Sequence, residues 1–129
     1  MIPTDLRYHT EHEWVRVNGK HATVGISHFA QDALGDIVFV ELPKIGTAVK
    51  SGQQIGEVES TKTTSTIYTP VSGTIIGVNT ELKDHPELMN ADPYGKGWIT
   101  IIELADPGEI ERLMTAPQYE AFLASQKTA

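Results

Sequence analysis

Short strand-like segments, separated by glycine, proline and asparagine, occupy the first two-thirds of the chain. Such spacing of apolar segments and turn residues is typical of β-strands. It predicts seven strands: Glu13–Val17, His21–Ile26, Ile37–Leu42, Gln54–Glu59, Thr64–Tyr68, Thr74–Val78 and Trp98–Leu104. Asn18-Gly19 lies between the first two of them, and this dipeptide strongly favours a two-residue hairpin turn.

Helical signals flank this strand-rich region. Ser27 is a suitable N-cap for a short helix at His28–Leu34, which Gly35 is placed to end. Near the C-terminus, Pro107 and Pro117 suit first helical positions. Apolar residues recur there at helical spacing, in two groups: Ile110, Leu113 and Met114, and then Tyr119, Phe122 and Leu123. We therefore predict two C-terminal helices over about 106–126, and a long irregular loop at Asp84–Lys96.

A short sequence pattern that occurs twice in the chain bears on the architecture. The pattern P-x-x-G-T occurs at Pro43–Thr47 and again at Pro70–Thr74, each time just before a candidate strand. The match is either chance or the sign of a β domain built from two similar halves. The chain has 129 residues, which suits one domain over residues 1–129. We expect a mainly β protein with short helices, of the α+β class.

Composition excludes several classes of function. Seventeen Asp and Glu outweigh ten Lys and Arg, and no basic patch suggests a nucleic-acid partner. Without cysteine the chain has no disulfide, thiolate nucleophile or cysteine metal site. The longest apolar run, around Ile37–Val40, is far shorter than a membrane span. No secretory signal is visible, and Met1 favours a bacterial cytoplasm, or the mitochondrial matrix if the chain is a processed eukaryotic one.

Two histidines form the first candidate for chemistry. His9 and His12 could each supply a metal ligand, but their spacing does not match the helical zinc motif and no cysteine completes a site. We expect two solvated imidazoles on a strand edge, and no metal. No nucleophile elbow or phosphate loop is present either, so the sequence does not indicate an enzyme.

A lysine between two candidate strands is the second candidate. Lys62 follows the strand at Gln54–Glu59 and is flanked by Thr61 and Thr63, which suit a tight turn. One interpretation is an ordinary solvated lysine on a loop. The other is an attachment site, because an enzyme can acylate an exposed ε-amine and the added group then supplies the chemistry.

The residues around this lysine resemble a known family. Gly56–Lys62 and Tyr68–Gly73 are similar to the lipoyl-attachment region of the glycine cleavage system H proteins. Further matches cover nearly the whole chain: His12-Glu13-Trp14, Gly25-Ile26, Leu34–Pro43 and Asn90–Trp98. The resemblance implies a flattened lipoyl/biotinyl-type β-barrel or sandwich of two similar halves, with an N-terminal hairpin and short helix and two C-terminal helices. The core around the lysine hairpin would span about 36–104.

The same resemblance assigns roles to individual residues. Lys62 would carry lipoate through an amide bond. Glu59 and Gly73 match positions linked to recognition by the lipoylating enzyme. Glu13 and Thr66 match positions near the cleft that shelters the loaded arm, although the family often has aspartate where this chain has Thr66.

The implied function is that of a carrier. The lipoyl arm would take the aminomethyl group of glycine from a pyridoxal-phosphate-dependent decarboxylase (P protein) to an aminomethyltransferase (T protein). A dihydrolipoamide dehydrogenase (L protein) would then reoxidise it. Such a carrier is expected to be a monomer that also meets lipoylating enzymes, and neither nucleic acid nor membrane is an expected partner. Two alternatives use the same lysine: a relay of lipoate to 2-oxoacid dehydrogenase acyltransferases, and a binding module whose lysine is never modified.

Overall fold

Two antiparallel sheets pack face to face in the computed structural model, which describes residues 2–127. Met1 and the last two residues of the predicted domain lie outside the described residues. The larger sheet has six strands in the order β1-β2-β3-β9-β8-β5: Arg7–Tyr8, Glu13–Asn18, His21–Ile26, Thr100–Leu104, Gly73–Val78 and Ala48–Val49. The smaller sheet has three, in the order β4-β6-β7: Ile37–Glu41, Gln54–Ser60 and Thr64–Tyr68. The predicted mainly β sandwich is confirmed.

The helices surround the two sheets. Their bounds are His28–Leu34 for α1, Glu81–Asp84 for α2, Leu88–Ala91 for α3 and Ala116–Lys127 for α4, with a 3₁₀-helix at Pro107–Arg112. Ser27 caps α1 as predicted, since its hydroxyl accepts a hydrogen bond from the Ala30 N–H. Of the two predicted C-terminal helices, the first is a 3₁₀-helix.

The predicted irregular loop at Asp84–Lys96 is partly wrong, because it contains α3. Four residues give too little helical periodicity to be visible in the sequence. The turn forms because Met89 is fully buried in the core between the sheets, and that tertiary contact outweighs weak local propensity. The two-residue strands β1 and β5 and the short helix α2 were also missed, because elements of two to four residues are too short to show a periodic sequence pattern.

Branched apolar side chains from the inner faces of both sheets fill the core. Val58 and Ile67 face inward from the small sheet and meet Val24, Ile75 and Ile102 from the large one, all nearly or fully buried. Burying each such side chain contributes about 1.5–3 kcal/mol relative to leaving it in water. The small sheet is therefore held against the large one along its inner face, which leaves its outer face in solvent.

The two P-x-x-G-T segments lie side by side. The Gly46 N–H donates to the Ile75 carbonyl over 2.7 Å, and the Ile75 N–H donates to the Thr47 carbonyl over 2.9 Å. Strand β5 follows the first segment and β8 begins at Gly73 within the second, and these two strands are paired antiparallel. The first segment thus hydrogen-bonds to Ile75, the residue directly after the second segment, within a sandwich whose two sheets differ in size.

A second apolar cluster attaches the C-terminal helix. The rings of Tyr8 and Tyr119 stack with centroids 4.6 Å apart. The buried Tyr119 hydroxyl lies 2.7 Å from the Ser27 hydroxyl and 2.8 Å from Nδ1 of His12. The expectation of a solvated His12 is wrong, because this side chain is half-buried between α4 and α1.

Candidate attachment site

The turn that carries Lys62 is built by one buried hydroxyl. Strands β6 and β7 form the predicted hairpin, and Thr61, Lys62 and Thr63 are exposed at its tip. Ser60 Oγ accepts hydrogen bonds from the backbone N–H groups of Lys62 and Thr63, over 3.2 and 3.1 Å. The Ser60 N–H in turn donates to the Thr63 carbonyl over 2.8 Å. The tip is therefore a defined turn rather than a loose loop, and sequence reasoning did not single out Ser60.

The tip also rests on the segment that joins α1 to β4. The Thr61 N–H donates to the Asp36 carbonyl over 3.0 Å. Gly35 has a positive φ of 81°, and a Cβ placed there would lie 3.4 Å from Cε of Lys62. The glycine that ends α1 thus lets the lysine stem pass closely over the backbone. Both contacts fix where the lysine side chain starts.

Asn90, from α3, holds that segment in place. Its amide group donates to the Gly35 carbonyl over 2.8 Å and to Oε1 of Gln31 over 2.9 Å. Its amide oxygen accepts the Ile37 N–H over 2.9 Å. One side chain therefore joins the end of α1 to the start of β4. Asn90 was quoted only as part of a family signature, and no local pattern indicated this role.

A groove runs along the edge of the small sheet towards this tip. It has a volume of about 440 Å³ and lies between α1, strand β7 and the segment before β2. Its lining is Glu11, His12, Phe29, Ala30, Ala33, Leu34, Thr64, Ser65, Thr66 and Tyr68. Thr66 lines this groove, and Leu34 and Thr64 bring the groove close to the foot of Lys62. That the groove shelters a loaded arm stays a prediction.

Glu13 lies between the two sheets and is only 1% exposed. Its Oε1 lies 3.0 Å from Nδ1 of His9, and its Oε2 accepts the Tyr68 backbone N–H over 3.1 Å. The carboxylate therefore connects β2 to β7 and is not part of the groove lining. Its neighbours Glu11 and His12 line the groove. Burial raises the pKa of the Glu13 carboxyl, against the lowering effect of these hydrogen bonds. The expected solvated His9 is wrong as well, because its imidazole contacts this buried carboxylate.

Comparison with known proteins decides the family. The model of the glycine cleavage H-protein family matches residues 6–126. The chain belongs to this family. It is 56% identical over 119 residues to a glycine cleavage system H protein of Bacillus subtilis, covering 92% of this chain and 94% of that one. An H protein of Symbiobacterium thermophilum is 54% identical over 121 residues, with 94% of each chain covered.

A solved H-protein structure extends the match to three dimensions. The crystal structure of a glycine cleavage system H protein from Mycobacterium marinum superposes with a TM-score of 0.86 at 40% identity. The superposition covers 99% of this chain and all of that one. Glycine cleavage H proteins are carrier components, so the family also agrees with the lack of a nucleophile–base pair in the sequence.

Gly73, which the family resemblance links to recognition by a lipoylating enzyme, lies in the large sheet. It pairs with Leu104 in β9 and with Val49 in β5. A Cβ at this position would overlap the carbonyl oxygen of Glu103. The backbone contact alone therefore requires glycine here. Gly73 also lines a cavity of about 770 Å³, whose lining does not include Lys62. Its role in recognition by a lipoylating enzyme stays a prediction.

Residues 2–127 contain neither a cluster of metal ligands nor a membrane-spanning helix. Within that range no three His, Asp or Glu side chains are grouped as a metal site would require. No helix in the same range is both long and apolar enough to span a bilayer.

Glu13→Gln should change how stability depends on pH. Because burial raises the Glu13 pKa above its ordinary 4.5, the folded state binds this proton more tightly than the unfolded state. Wild-type stability from this group is therefore complete below pH 4.5 and falls as the pH rises through the raised pKa. Glutamine keeps an acceptor for the Tyr68 N–H but cannot ionise. Urea unfolding at several pH values should show the variant gaining on wild type across that window. A difference in unfolding free energy that stays constant with pH would contradict this explanation.

Gly73→Ala should destabilise the fold while Gly77→Ala should not, although both lie on β8. The added methyl group at Gly73 would overlap the Glu103 backbone, and overpacking of this kind costs about 1–3 kcal/mol. The nearest atom to a Cβ at Gly77 is 3.6 Å away, which is ordinary contact. The free energy of unfolding in urea measures both. Equal stability of the two variants would contradict the backbone explanation.

Proposed function

We propose that this chain carries lipoate as an amide on Nζ of Lys62 and moves the aminomethyl group of glycine between the enzymes of the glycine cleavage system. Family membership makes it a carrier component of that system rather than a catalytic enzyme. The observation that supports the attachment point is Lys62 itself, an exposed amine at a turn fixed by the Ser60 hydroxyl.

Attachment requires a free amine at an accessible position. Among the described residues, Lys62 has no ion-pair partner, so an enzyme can bind its side chain without breaking a salt bridge. Nζ would displace the leaving group of an activated lipoyl acyl group. The ammonium group first loses one proton to give the neutral amine. When the amide bond then forms, the leaving group and a second proton depart. Acylation removes one positive charge and changes the formal net charge from −7 to −8.

The groove beside Lys62 fits an arm of this kind. Ligand sites in proteins commonly have volumes of about 300–1,000 Å³, and this groove has about 440 Å³. Its α1 wall is seven residues long, which corresponds to roughly 10 Å. Phe29 and Leu34 give that wall an apolar surface suited to a hydrocarbon chain and sulfur atoms. When bound, the lipoyl group supplies a cyclic disulfide that accepts the aminomethyl group and becomes reduced.

The polar end of the groove suits a cationic amine. Glu11 is the carboxylate in the groove lining, and His12 lies beside it with a pKa lowered by burial, so its imidazole is neutral at pH 7. Thr66 adds a hydroxyl without charge. We infer that Glu11 supplies the negative charge that Thr66 lacks. Glu13 would position this end of the groove through Tyr68 rather than touch the amine.

The three enzymes of the cycle are the partners that this function requires: the glycine decarboxylase, the aminomethyltransferase and dihydrolipoamide dehydrogenase. A tethered arm visits successive active sites at high effective concentration, so tight docking to any one of them is unnecessary. The acidic chain favours basic docking surfaces and encounters that weaken as salt is added.

Lys62→Arg should abolish modification. Intact mass after incubation with lipoate, ATP and a purified lipoate–protein ligase should show one lipoyl-sized gain for wild type and none for the variant. Lys50→Arg, at another exposed turn, is the matched control and should be modified like wild type. Arginine keeps the positive charge in both, so folding and docking are preserved. A gain retained in Lys62→Arg would show that the attachment point lies elsewhere.

Glu11→Gln should shorten the life of the loaded carrier. An exposed carboxylate–ammonium pair is worth about 0.2–1 kcal/mol, so ammonia and formaldehyde release should speed up by roughly 1.5- to 5-fold. The measurement is the rate of ammonia release from the purified, aminomethyl-loaded protein. Glu120→Gln removes the same charge from α4 and should leave the rate unchanged. Equal rates in the two variants would remove Glu11 from the site.

A further inference from the structure

We propose that the outer face of the small sheet is the docking surface for the enzyme that acylates Lys62. We call it the acidic face and define it by four side chains: Phe39, Glu41, Glu57 and Glu59. The inference rests on the proposed function, because it requires Lys62 to be the attachment point. Of these four side chains, Glu59 is the one that the sequence analysis links to recognition by the lipoylating enzyme, together with Gly73 of the large sheet.

Strand register brings the four side chains together. Phe39 is paired with Glu59, and Glu41 with Glu57. Residues directly opposite each other on antiparallel strands share one face of the sheet. Val40 and Val58, which lie between them along the strands, are buried on the inner face. The acidic face is therefore a compact block of two adjoining pairs, and its nearer pair starts three residues from Lys62.

An irregularity in β4 exposes aromatic surface beside Glu59. The register with β6 shifts between Ile37 and Phe39, so Val38 and Phe39 both point outward, 50% and 55% exposed. Bulges of this kind commonly re-aim side chains near functional sites. A half-exposed phenylalanine is costly in water and is a typical anchor at protein interfaces. The bulge therefore presents an apolar contact at the tip end of the acidic face.

The carboxylates of this face have no ion-pair partner among the described residues. Glu41 lies directly opposite Glu57, and like charges in that position destabilise a sheet. In residues 2–127 no Lys, Arg or His forms an ion pair with Glu41, Glu57 or Glu59. A cationic surface placed over them would relieve this repulsion. The occupant that matches is thus a basic protein surface with an apolar recess for Phe39.

The length of the reactive side chain points to the acylating enzyme. Before modification the reacting atom is Nζ of Lys62, at the end of a stem of only four carbons. The active site of that enzyme must therefore come down to the hairpin tip and contact the sheet beside it. The enzymes that meet the loaded arm can act from further away, because the lipoyl chain extends their reach.

The apolar contact can be tested with two serine variants. Phe39→Ser should raise KM for the unmodified chain by about tenfold in a lipoylation assay with purified lipoate–protein ligase, lipoate and ATP, while kcat changes little. Ile45→Ser is the control, since Ile45 is 63% exposed in the turn that follows β4. Its KM should match that of wild type. Thermal unfolding of both variants checks that the fold is intact.

The charges can be tested by a variant that should be more stable but a poorer substrate. Glu41→Lys places a cation opposite Glu57, so its melting temperature should rise, by about 1–3 °C. Its KM for lipoylation should nevertheless increase several-fold. Glu120→Lys makes the same charge change on an exposed position of α4 and should leave KM near wild type.

The outcomes separate this inference from the proposed function. If wild type itself is never lipoylated, the proposed function fails and the inference falls with it. If wild type is lipoylated but Phe39→Ser and Glu41→Lys have the KM values of their controls, only the docking surface is wrong. The inference is equally overturned if the variants are lipoylated normally and instead react slowly with dihydrolipoamide dehydrogenase, since the face would then serve a partner of the loaded arm.

Discussion

The hydrogen bonds around the Ser60 hydroxyl are the contacts on which the position of Lys62 depends. One buried oxygen accepts the backbone N–H groups of Lys62 and Thr63, and the Asp36 carbonyl accepts that of Thr61. Each such bond contributes only about 1 kcal/mol to stability. Together they convert an exposed lysine, normally the most mobile kind of side chain, into one with a fixed origin. A carrier needs this because a tether is useful only when its starting point is defined.

The groove beside Lys62 exists because distant segments of the chain are locked together. Asn90 joins the end of α1 to the start of β4, and Glu13 joins β2 to β7. Glu13 carries a desolvation cost for this, visible as a raised pKa. A buried carboxylate is retained where its hydrogen bonds specify an arrangement. Here the arrangement is the position of β7 against β2 and the segment before it, which brings Tyr68 beside Glu11 and His12 in the groove lining.

The inner face, the β7 edge and the outer face of the small sheet thus have different roles. The inner face is packed on the large sheet and holds the hairpin still, while the edge along β7 offers the groove and the outer face remains free for partners. Glu57 and Glu59 on β6 face solvent while Val58 between them is buried. Strand alternation is what allows one hairpin to serve packing and recognition at once.

The sequence by itself determined the seven longer strands, the β2–β3 hairpin, the capped helix α1 and the exposed lysine, because each depends on residues close together in the chain. The hairpin turn itself is one residue later than predicted: Asn18 pairs with His21 at the end of β2, so the two turn residues are Gly19 and Lys20. Turn chemistry and strand spacing are local and can be read directly. The tertiary structure alone decided that Glu11 lines the groove, that Glu13 and His9 are buried together, that α3 forms around Met89, and that Phe39 lies beside Glu59. Those outcomes depend on which strands pair and in what register. No local pattern contains that information, because it is set by the packing of segments that are far apart in the chain.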